Sequence, residues 1–199
     1  MKGVAIAARL AVAFAVALLA WPAAALACAC CANKGDYLNV TETVKQFEIN
    51  ELLRLKYGTT ANLRTTPAFP AEVKGLKFVS EKYTLSRFTH GRIVVLTLKD
   101  GKGHSGTVSF VIPQKATKVH ADVQDGKTAP GGGPLLYREW TLRGTLSGSL
   151  LKRAAPFRLV LQGRGNACMN ARDFRSWILV ASGPGVSFSL YGKFTPVPA

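Results

Sequence analysis

Acidic residues are scarce in this 199-residue chain, in which 11 Asp and Glu stand against 26 Lys and Arg, for a formal net charge of +15. This balance excludes a disordered acidic tail. The composition is not that of a collagen, and no segment beyond the N-terminal region is apolar enough to cross a bilayer, which excludes a polytopic membrane protein. The chain is short enough for one hydrophobic core.

Several catalytic and nucleotide-binding motifs are also missing. The chain has no P-loop, no paired zinc-type histidine motif and no Gly-x-Ser-x-Gly elbow. The Gly163-x-Gly165 pair lacks the third glycine and the following helix of a dinucleotide fingerprint. We therefore predict a protein that binds or scaffolds rather than one that catalyses.

The N-terminus has the pattern of a secretory signal peptide. Lys2 and Arg9 precede the apolar residues 10–21, and Ala25-x-Ala27 precedes Cys28. The apolar run of ~12 residues is shorter than the ~20 that a membrane span needs. We predict an exported periplasmic or extracellular protein, with an uncleaved anchor and a lipid anchor on Cys28 as alternatives.

Removal of the leader would leave a formal charge of +13. The densest basic stretch, residues 152–175, holds six Lys and Arg with Asp173 as its single acid. A basic exported protein is attracted to anionic envelope polymers, and salt weakens that attraction. The alternative is a generally basic surface that confers solubility. No specific nucleic-acid motif is present, and we expect no transmembrane span in the mature chain.

Alternating apolar residues predict β-strands. Residues 94–98 and 108–112 each carry an apolar side chain at every second position, as a strand with one buried face requires. Gly101 and Gly103 between them predict a hairpin, and Pro113 predicts its end. We expect an earlier strand over residues 76–84.

The second half repeats this pattern after a Gly- and Pro-rich loop at residues 125–134. Further strands are predicted at residues 140–142, 146–150, 157–161, 177–179 and 186–190. Residues 47–57 fit either a short helix or a strand. We favour a strand there, because Leu53, Leu55 and Tyr57 alternate.

The predicted fold class is all-β, a single antiparallel sandwich or barrel-like domain of about 8 strands. We predict a signal peptide at residues 1–27 and a Cys-rich segment at residues 28–46. The all-β domain would follow over residues 47–194, with a C-terminal tail at residues 195–199.

The four cysteines form a cluster of Cys28, Cys30 and Cys31 at the new N-terminus, with Cys168 alone in the second half. An even number of cysteines in an exported protein predicts disulfides. A bridge from the cluster to Cys168 would close a loop of ~140 residues, worth ~4 to 5 kcal/mol in the chain-entropy model. The sequence does not indicate which cluster cysteine is used.

A thiolate metal site is the alternative for the same residues. Cys28, Cys30 and Cys31 place three soft ligands close together, and thiolates select Cu(I) or Zn(II). Cys168 could complete a four-coordinate shell, with the free α-amine of Cys28 as a further ligand. We otherwise expect no cofactor, because the three histidines lack metal-ligand spacing.

Four residues are candidates for binding a ligand: Tyr137, Trp140, Arg164 and Asn166. Aromatic rings can stack on a sugar or a base. The alternative for Trp140 is core packing, since it lies in an apolar alternating pattern. A closed sheet could also hold a small apolar ligand inside.

Cys168 lies in a segment that resembles the catalytic cysteine region of the L,D-transpeptidases, which are β-rich exported enzymes of the cell wall. It follows a glycine-rich turn and precedes Asn170, as in that family's motif. The family has His-Gly immediately before the cysteine, where this chain has Asn166-Ala167. The family's second histidine is also missing, the nearest upstream one being His120. The resemblance implies a cysteine-dependent envelope enzyme as a third class of function, but a thiol needs a neighbouring base to act as a nucleophile.

A second resemblance covers most of the mature chain. Residues 28–32 (CACCA), 136–140 (LYREW) and 159–168 (LVLQGRGNAC) resemble a group of exported bacterial proteins of unknown function. The resemblance implies export, a single domain and a shared role for Cys168 and the N-terminal cysteines. It implies no activity.

Overall fold

The chain folds into one antiparallel β-sheet. The structure, a computed structural model, describes residues 29–64 and 73–196. Within them the strands are β1 (Tyr37–Thr43), β2 (Lys56–Tyr57), β3 (Thr60–Arg64), β4 (Lys82–His90), β5 (Ile93–Lys99), β6 (Ser105–Val111), β7 (Lys115–Ala121), β8 (Leu136–Leu146), β9 (Ala155–Gly165), β10 (Phe174–Gly183) and β11 (Val186–Thr195). One α-helix, α1 (Gln46–Arg54), and a 3-10 helix, Ala171–Asp173, complete the described elements.

The sheet is open and folds over itself. Its strand order is β1-β7-β8-β9-β10-β11-β3-β4-β5-β6, and β2 pairs with β11 off this path. One isolated bridge joins Ser109 of β6 to Ser147, just beyond β8, with backbone hydrogen bonds of 2.7 and 2.9 Å. The sheet therefore has an inner face around the core and an outer face toward solvent. The prediction of a single all-β antiparallel fold is confirmed.

The hydrophobic core lies on the inner face. Trp140 and Trp177 are 1% and 0% exposed, and the alternating residues Val94, Leu96 and Leu98 are buried with them. Burial of these side chains is the main favourable term in folding, at about 25 cal/mol per Å² of apolar surface. The predicted hairpin is present as the pair β5 with β6, and the predicted strands at residues 177–179 and 186–190 pair as β10 with β11.

The predicted count of about 8 strands is too low. A strand whose inward-facing positions are charged lacks the alternating apolar residues from which strands are predicted. In β7 the inner face carries Lys118 and His120. Six of the seven residues of β1 are exposed, and this strand pairs with β7 at the end of the sheet. Conversely, the strand predicted at residues 140–142 is part of the longer β8, which continues through Gly144 to Leu146. The separate strand predicted at residues 146–150 is wrong, because residues 148–150 form a bend and a turn.

The strand preferred over residues 47–57 is wrong for most of that segment, which forms helix α1 followed by the short strand β2. The Lys45 backbone N–H donates to Glu48 Oε2 at 2.8 Å and so caps the helix start. Ile49 and Leu52, three residues apart, are buried against the core. The alternation of Leu53, Leu55 and Tyr57 does not mark one strand. Leu53 lies in the last turn of the helix, and Leu55 and Tyr57 follow its end.

The strand expected over residues 76–84 is also displaced. Leu76 makes only an isolated bridge to Leu151, and β4 begins at Lys82. Between them, Ser80 donates from its backbone N–H to the Tyr83 hydroxyl at 2.7 Å and from Oγ to the Lys82 carbonyl at 2.9 Å. These local hydrogen bonds form a turn in a segment where the alternating sequence pattern predicted a paired strand.

Three predicted features lie outside the described residues, namely the signal peptide at residues 1–27, Cys28, and the end of the C-terminal tail. In the part of the chain that the structure describes, no helix is long and apolar enough to cross a membrane.

Candidate functional site

A disulfide joins Cys30 to Cys168 across 138 residues of sequence. The predicted bridge from the N-terminal cluster to Cys168 is confirmed, and Cys30 is the cluster residue that forms it. No cysteine in residues 29–64 and 73–196 carries a free thiol. The Sγ atom of Cys31 lies 2.9 Å from the Gly131 carbonyl oxygen.

The disulfide fastens the N-terminal segment between two loops. The Ala167 backbone N–H donates to the Cys30 carbonyl at 2.8 Å, next to the bridge. On the other side, a Cβ on Gly133 would overlap the carbonyl group of Ala32, so this glycine allows the two backbones to touch. Residues 29–36, 125–135 and 166–173 therefore meet at one end of the sheet.

Two glycines of β9 let the loop at residues 166–173 lie directly on the strand. A Cβ on Gly163 would overlap the Asp173 carbonyl oxygen, and one on Gly165 would overlap the Asp173 carboxylate. The Gly163-x-Gly165 pair thus serves close backbone packing, which is one of the standard reasons for glycine inside a strand.

Arg138 lies beneath this loop and is fully buried. Its Nη2 donates to the Asn166 carbonyl and, at 2.8 Å, to the Cys168 carbonyl, and lies 3.7 Å from Asp173 Oδ2. Its Nε and Nη1 have no hydrogen-bond partner among the described residues. Burial of a guanidinium with unmade hydrogen bonds is costly, so this position holds unused donor capacity.

The loop and the ends of β8, β9 and β10 surround a pocket of about 840 Å³. We call it the arginine pocket. Its lining consists of Pro130, Leu135, Tyr137, Gln162, Gly163, Arg164, Gly165, Asn166, Asn170, Arg172, Asp173, Arg175 and Ser176.

Positive charge dominates the arginine pocket. Arg164, Arg172 and Arg175 belong to its lining, and Asp173 is the one carboxylate there. Arg164 is ion-paired with Asp125, whose side chain is 22% exposed. Desolvation by burial raises the pKa of Asp173 to about 6, although the neighbouring Arg138 favours its charged form.

One wall of the pocket is a fixed hydrogen-bond network. The Tyr137 hydroxyl donates to Glu139 Oε2 at 2.7 Å, and Gln162 Nε2 donates to both oxygens at 3.1 Å. Burial, with the neighbouring Glu139 carboxylate, raises the pKa of Tyr137 to about 12, so the phenol stays neutral. The ring is thereby held at the edge of the pocket.

Three of the four predicted ligand-binding residues come together here, because Tyr137, Arg164 and Asn166 all line the arginine pocket. Trp140 does not, since it lies in the core with its ring 4.5 Å from Lys118 Nζ. The sequence analysis missed Arg172, Arg175 and the buried Arg138. The basic density of residues 152–175 was the available signal for the first two.

Helix α1 contacts the loop at residues 166–173 through Glu51. Glu51 Oε2 accepts a hydrogen bond from the Ala171 backbone N–H at 2.7 Å, which holds the 3-10 helix in place. Glu48 Oε1 and Glu42 Oε1 each lie 2.6 Å from Lys118 Nζ. This ion cluster, in which Lys118 and Glu48 are buried and Glu42 is exposed, ties α1 to β1 and β7 and satisfies the charge of Lys118.

The donor groups for a metal ion are separated in the described part of the chain, where no three His, Cys, Asp or Glu side chains are grouped suitably. The sulfur atoms of Cys30 and Cys168 form the disulfide and are not thiolate ligands in that state. His104 pairs with Asp100 at 2.8 Å on a hairpin turn. Burial lowers the pKa of His120 to about 4, with the neighbouring Arg138 adding to the effect.

Comparisons with known proteins identify no relative of this chain. No protein-family model, curated protein or solved structure matches the chain. The motif resemblances to exported bacterial proteins and to L,D-transpeptidases stay predictions.

Proposed function

We propose that this chain is an exported, non-catalytic binding protein whose arginine pocket takes an acidic saccharide. The observation that supports this most strongly is the accumulation of arginines around one cavity. Three belong to the lining, and the buried Arg138 contacts the loop carbonyls of Asn166 and Cys168 and lies near Asp173 of that lining.

The charge balance favours an anionic ligand. Arg164, Arg172 and Arg175 belong to the lining, and Asp173 is the one carboxylate among the described residues that line the pocket. A guanidinium presents a planar fork of donors that matches a carboxylate or a sulfate group, so arginine is the preferred residue for such ligands. Bringing an anion into the pocket would relieve the excess positive charge.

The remaining polar residues favour a ligand with hydroxyl groups. Gln162, Asn166 and Asn170 add amide groups to the lining, and Tyr137 adds an aromatic ring. The volume of about 840 Å³ is in the range of small-molecule sites, roughly 300 to 1,000 Å³. A carboxylate-bearing saccharide of a few units combines these requirements.

The cysteines support a structural role in this proposal. Cys168, the residue of the transpeptidase-like segment, has its sulfur in the bridge to Cys30, and in that state it is not a nucleophile. The bridge is stable in an oxidising compartment, which agrees with export. There the basic chain would meet anionic envelope polymers.

Titration calorimetry with trigalacturonate tests the proposal, with neutral maltotriose as the matched uncharged sugar. We expect binding of trigalacturonate only. R164Q/R175Q should weaken it by about tenfold or more, since a hydrogen bond to a charged group is worth roughly 1.5 to 3 kcal/mol. K82Q/K99Q, which removes two exposed lysines of β4 and β5, should bind like wild type. Equal binding of both sugars, or no loss in R164Q/R175Q, would overturn the proposal.

A further inference from the structure

Three cations from distant parts of the sequence meet on the outer face of the sheet. Arg143 of β8 and Arg158 of β9 are directly opposite each other in the strand register. Ala116 of β7 pairs with Leu142, which places the preceding residue, Lys115, beside Arg143. All three side chains are exposed. We call Lys115, Arg143 and Arg158 the basic row.

No carboxylate balances the basic row within the described residues. None of its members has an acidic group within 4 Å there. The neighbouring cross-strand rows on the same face are neutral. On one side they hold Thr117, Thr141, Val160 and Ile178, and on the other Thr145, Pro156 and Ser182.

This arrangement works against the stability of the isolated sheet. Like charges directly opposite each other on paired strands are destabilising. Neighbouring strands lie about 4.8 Å apart, so the basic row presents three positive charges along about 10 Å. Such a row is complementary to a linear ligand with repeated negative charges.

The basic row and the arginine pocket share one face. Arg164 of the pocket is paired with Tyr137, and Arg158 lies on the same strand and the same face, six residues earlier. At about 3.3 Å per residue the two sites are roughly 20 Å apart. A single extended chain can therefore contact both.

We propose that the basic row is a second anion-binding site, and that the ligand is a linear acidic polysaccharide long enough to occupy the arginine pocket and the basic row together. This inference rests on the proposed function of the pocket and specifies its ligand as a polymer. The polysaccharide class follows from the amides of the pocket and from the hydroxyl of Thr117, which lies between the sites.

One carboxylate lies on the path between the two sites. Glu139 is on the same face, two residues from Thr141, and its Oε2 already accepts hydrogen bonds from Tyr137 and Gln162. Those donors offset part of its charge. A polymer passing this point would present hydroxyl groups to Glu139 and acidic groups to the two ends of the path.

Two linked contacts make affinity depend on ligand length. Once one end occupies the pocket, the second contact is intramolecular and benefits from a high effective concentration. An oligomer too short to reach the basic row gains nothing from it. Affinity should therefore rise in a step when the length exceeds roughly 20 Å.

The test measures the affinity of oligogalacturonates of increasing defined length for four proteins. These are the wild type, R143Q/R158Q, R164Q/R175Q and the control K82Q/K99Q, which loses the same number of positive charges from β4 and β5. We expect a gain of about tenfold or more for long over short oligomers in the wild type and the control. R143Q/R158Q should bind the trimer like wild type and show no gain with length.

The outcomes separate the two proposals. If the trimer binds no protein, the proposed function of the pocket fails. In a second case, the trimer binds the wild type and R164Q/R175Q binds it more weakly, which supports the pocket. If affinity then does not rise with oligomer length, or if it still rises with length in R143Q/R158Q, only the proposal for the basic row is overturned. If single-stranded oligodeoxythymidylate of equal length competes equally well, the polysaccharide assignment is overturned.

Discussion

Arg138 donates a hydrogen bond from Nη2 to the carbonyl oxygen of Cys168 at 2.8 Å, and it does so from a fully buried position. The same guanidinium contacts the Asn166 carbonyl and lies 3.7 Å from the carboxylate of Asp173. One side chain thus links the disulfide residue Cys168 to Asn166 and Asp173 of the pocket lining. The stability of the fold and the shape of the site depend on the same residue.

Replacing Arg138 with Gln should destabilise the protein strongly. The change leaves the carbonyls of Asn166 and Cys168 and the carboxylate of Asp173 without their cation. Breaking a buried charged pair costs about 3 to 5 kcal/mol. Urea unfolding followed by circular dichroism measures the free energy of unfolding. R158Q makes the same chemical change on the exposed face and should stay within about 0.5 kcal/mol of wild type. Equal effects of the two variants would contradict the role given to Arg138.

Removing the disulfide in C30S/C168S should lower the free energy of unfolding. The bridge closes a loop over a sequence separation of 138 residues. The chain-entropy model assigns such a loop about 4 to 5 kcal/mol. Urea unfolding of this variant, compared with that of the wild type with and without reductant, checks the value. A change below about 1 kcal/mol would show that the bridge contributes little to stability.

Gly165→Ala should disturb the pocket because its Cβ would overlap the carboxylate of Asp173. Overpacking of this kind typically costs about 1 to 3 kcal/mol. Gly101 offers a matched control on the β5–β6 turn, since a Cβ there meets nothing within 4 Å. Thermal melting of both variants, combined with trigalacturonate affinity, should show a loss only in G165A. A G165A variant with wild-type melting and affinity would contradict the packing described here.

Binding of an acidic saccharide should strengthen as the pH falls from about 7.5 to about 5. The pKa of Asp173 is raised to about 6, so this carboxylate loses its negative charge in that window and the pocket becomes more positive. The charged groups that influence it are Arg138, Arg175 and Glu51, while His120, with a pKa of about 4, stays neutral. Removing one repulsive charge should raise the affinity up to about fivefold, since partly exposed pairs are worth roughly 0.2 to 1 kcal/mol.

Asp173→Asn provides the control for this pH dependence. The variant should bind trigalacturonate at neutral pH about as tightly as the wild type does at low pH, with a flatter profile. The free energy of unfolding of the free protein should depend on pH in the same direction as the affinity does. Because the folded pKa is raised, the contribution of Asp173 to stability is fully present below its unfolded pKa near 3.8 and declines as the pH rises through about 6. An unchanged pH profile in D173N would assign the effect to another group.

The fold could be predicted where one face of a strand is uniformly apolar. The hairpin of β5 and β6 is an example, because Val94, Leu96 and Leu98 oppose residues with the same pattern. The strand β7 could not be found in this way. Its inner position Lys118 looks like a surface residue until Glu48 and Glu42 are brought to it from α1 and β1.

The candidate site was predictable only in part for a related reason. The sequence directs attention to Tyr137, Arg164 and Asn166 because an aromatic residue and a glycine-rich turn mark them locally. The basic row has no local mark, since Lys115, Arg143 and Arg158 belong to three different strands. Their proximity follows from strand register, which depends on the whole sheet.

The central claim is that an acidic saccharide binds in the arginine pocket, and amide chemical-shift mapping by NMR tests it most directly. The isotope-labelled protein, with its disulfide intact, is titrated with trigalacturonate. The account predicts shift changes concentrated at the backbone amides of residues 162–166 and 170–176, which contain the pocket-lining parts of β9, the loop and β10. Shift changes located elsewhere on the sheet, or no changes at saturating saccharide, would contradict it.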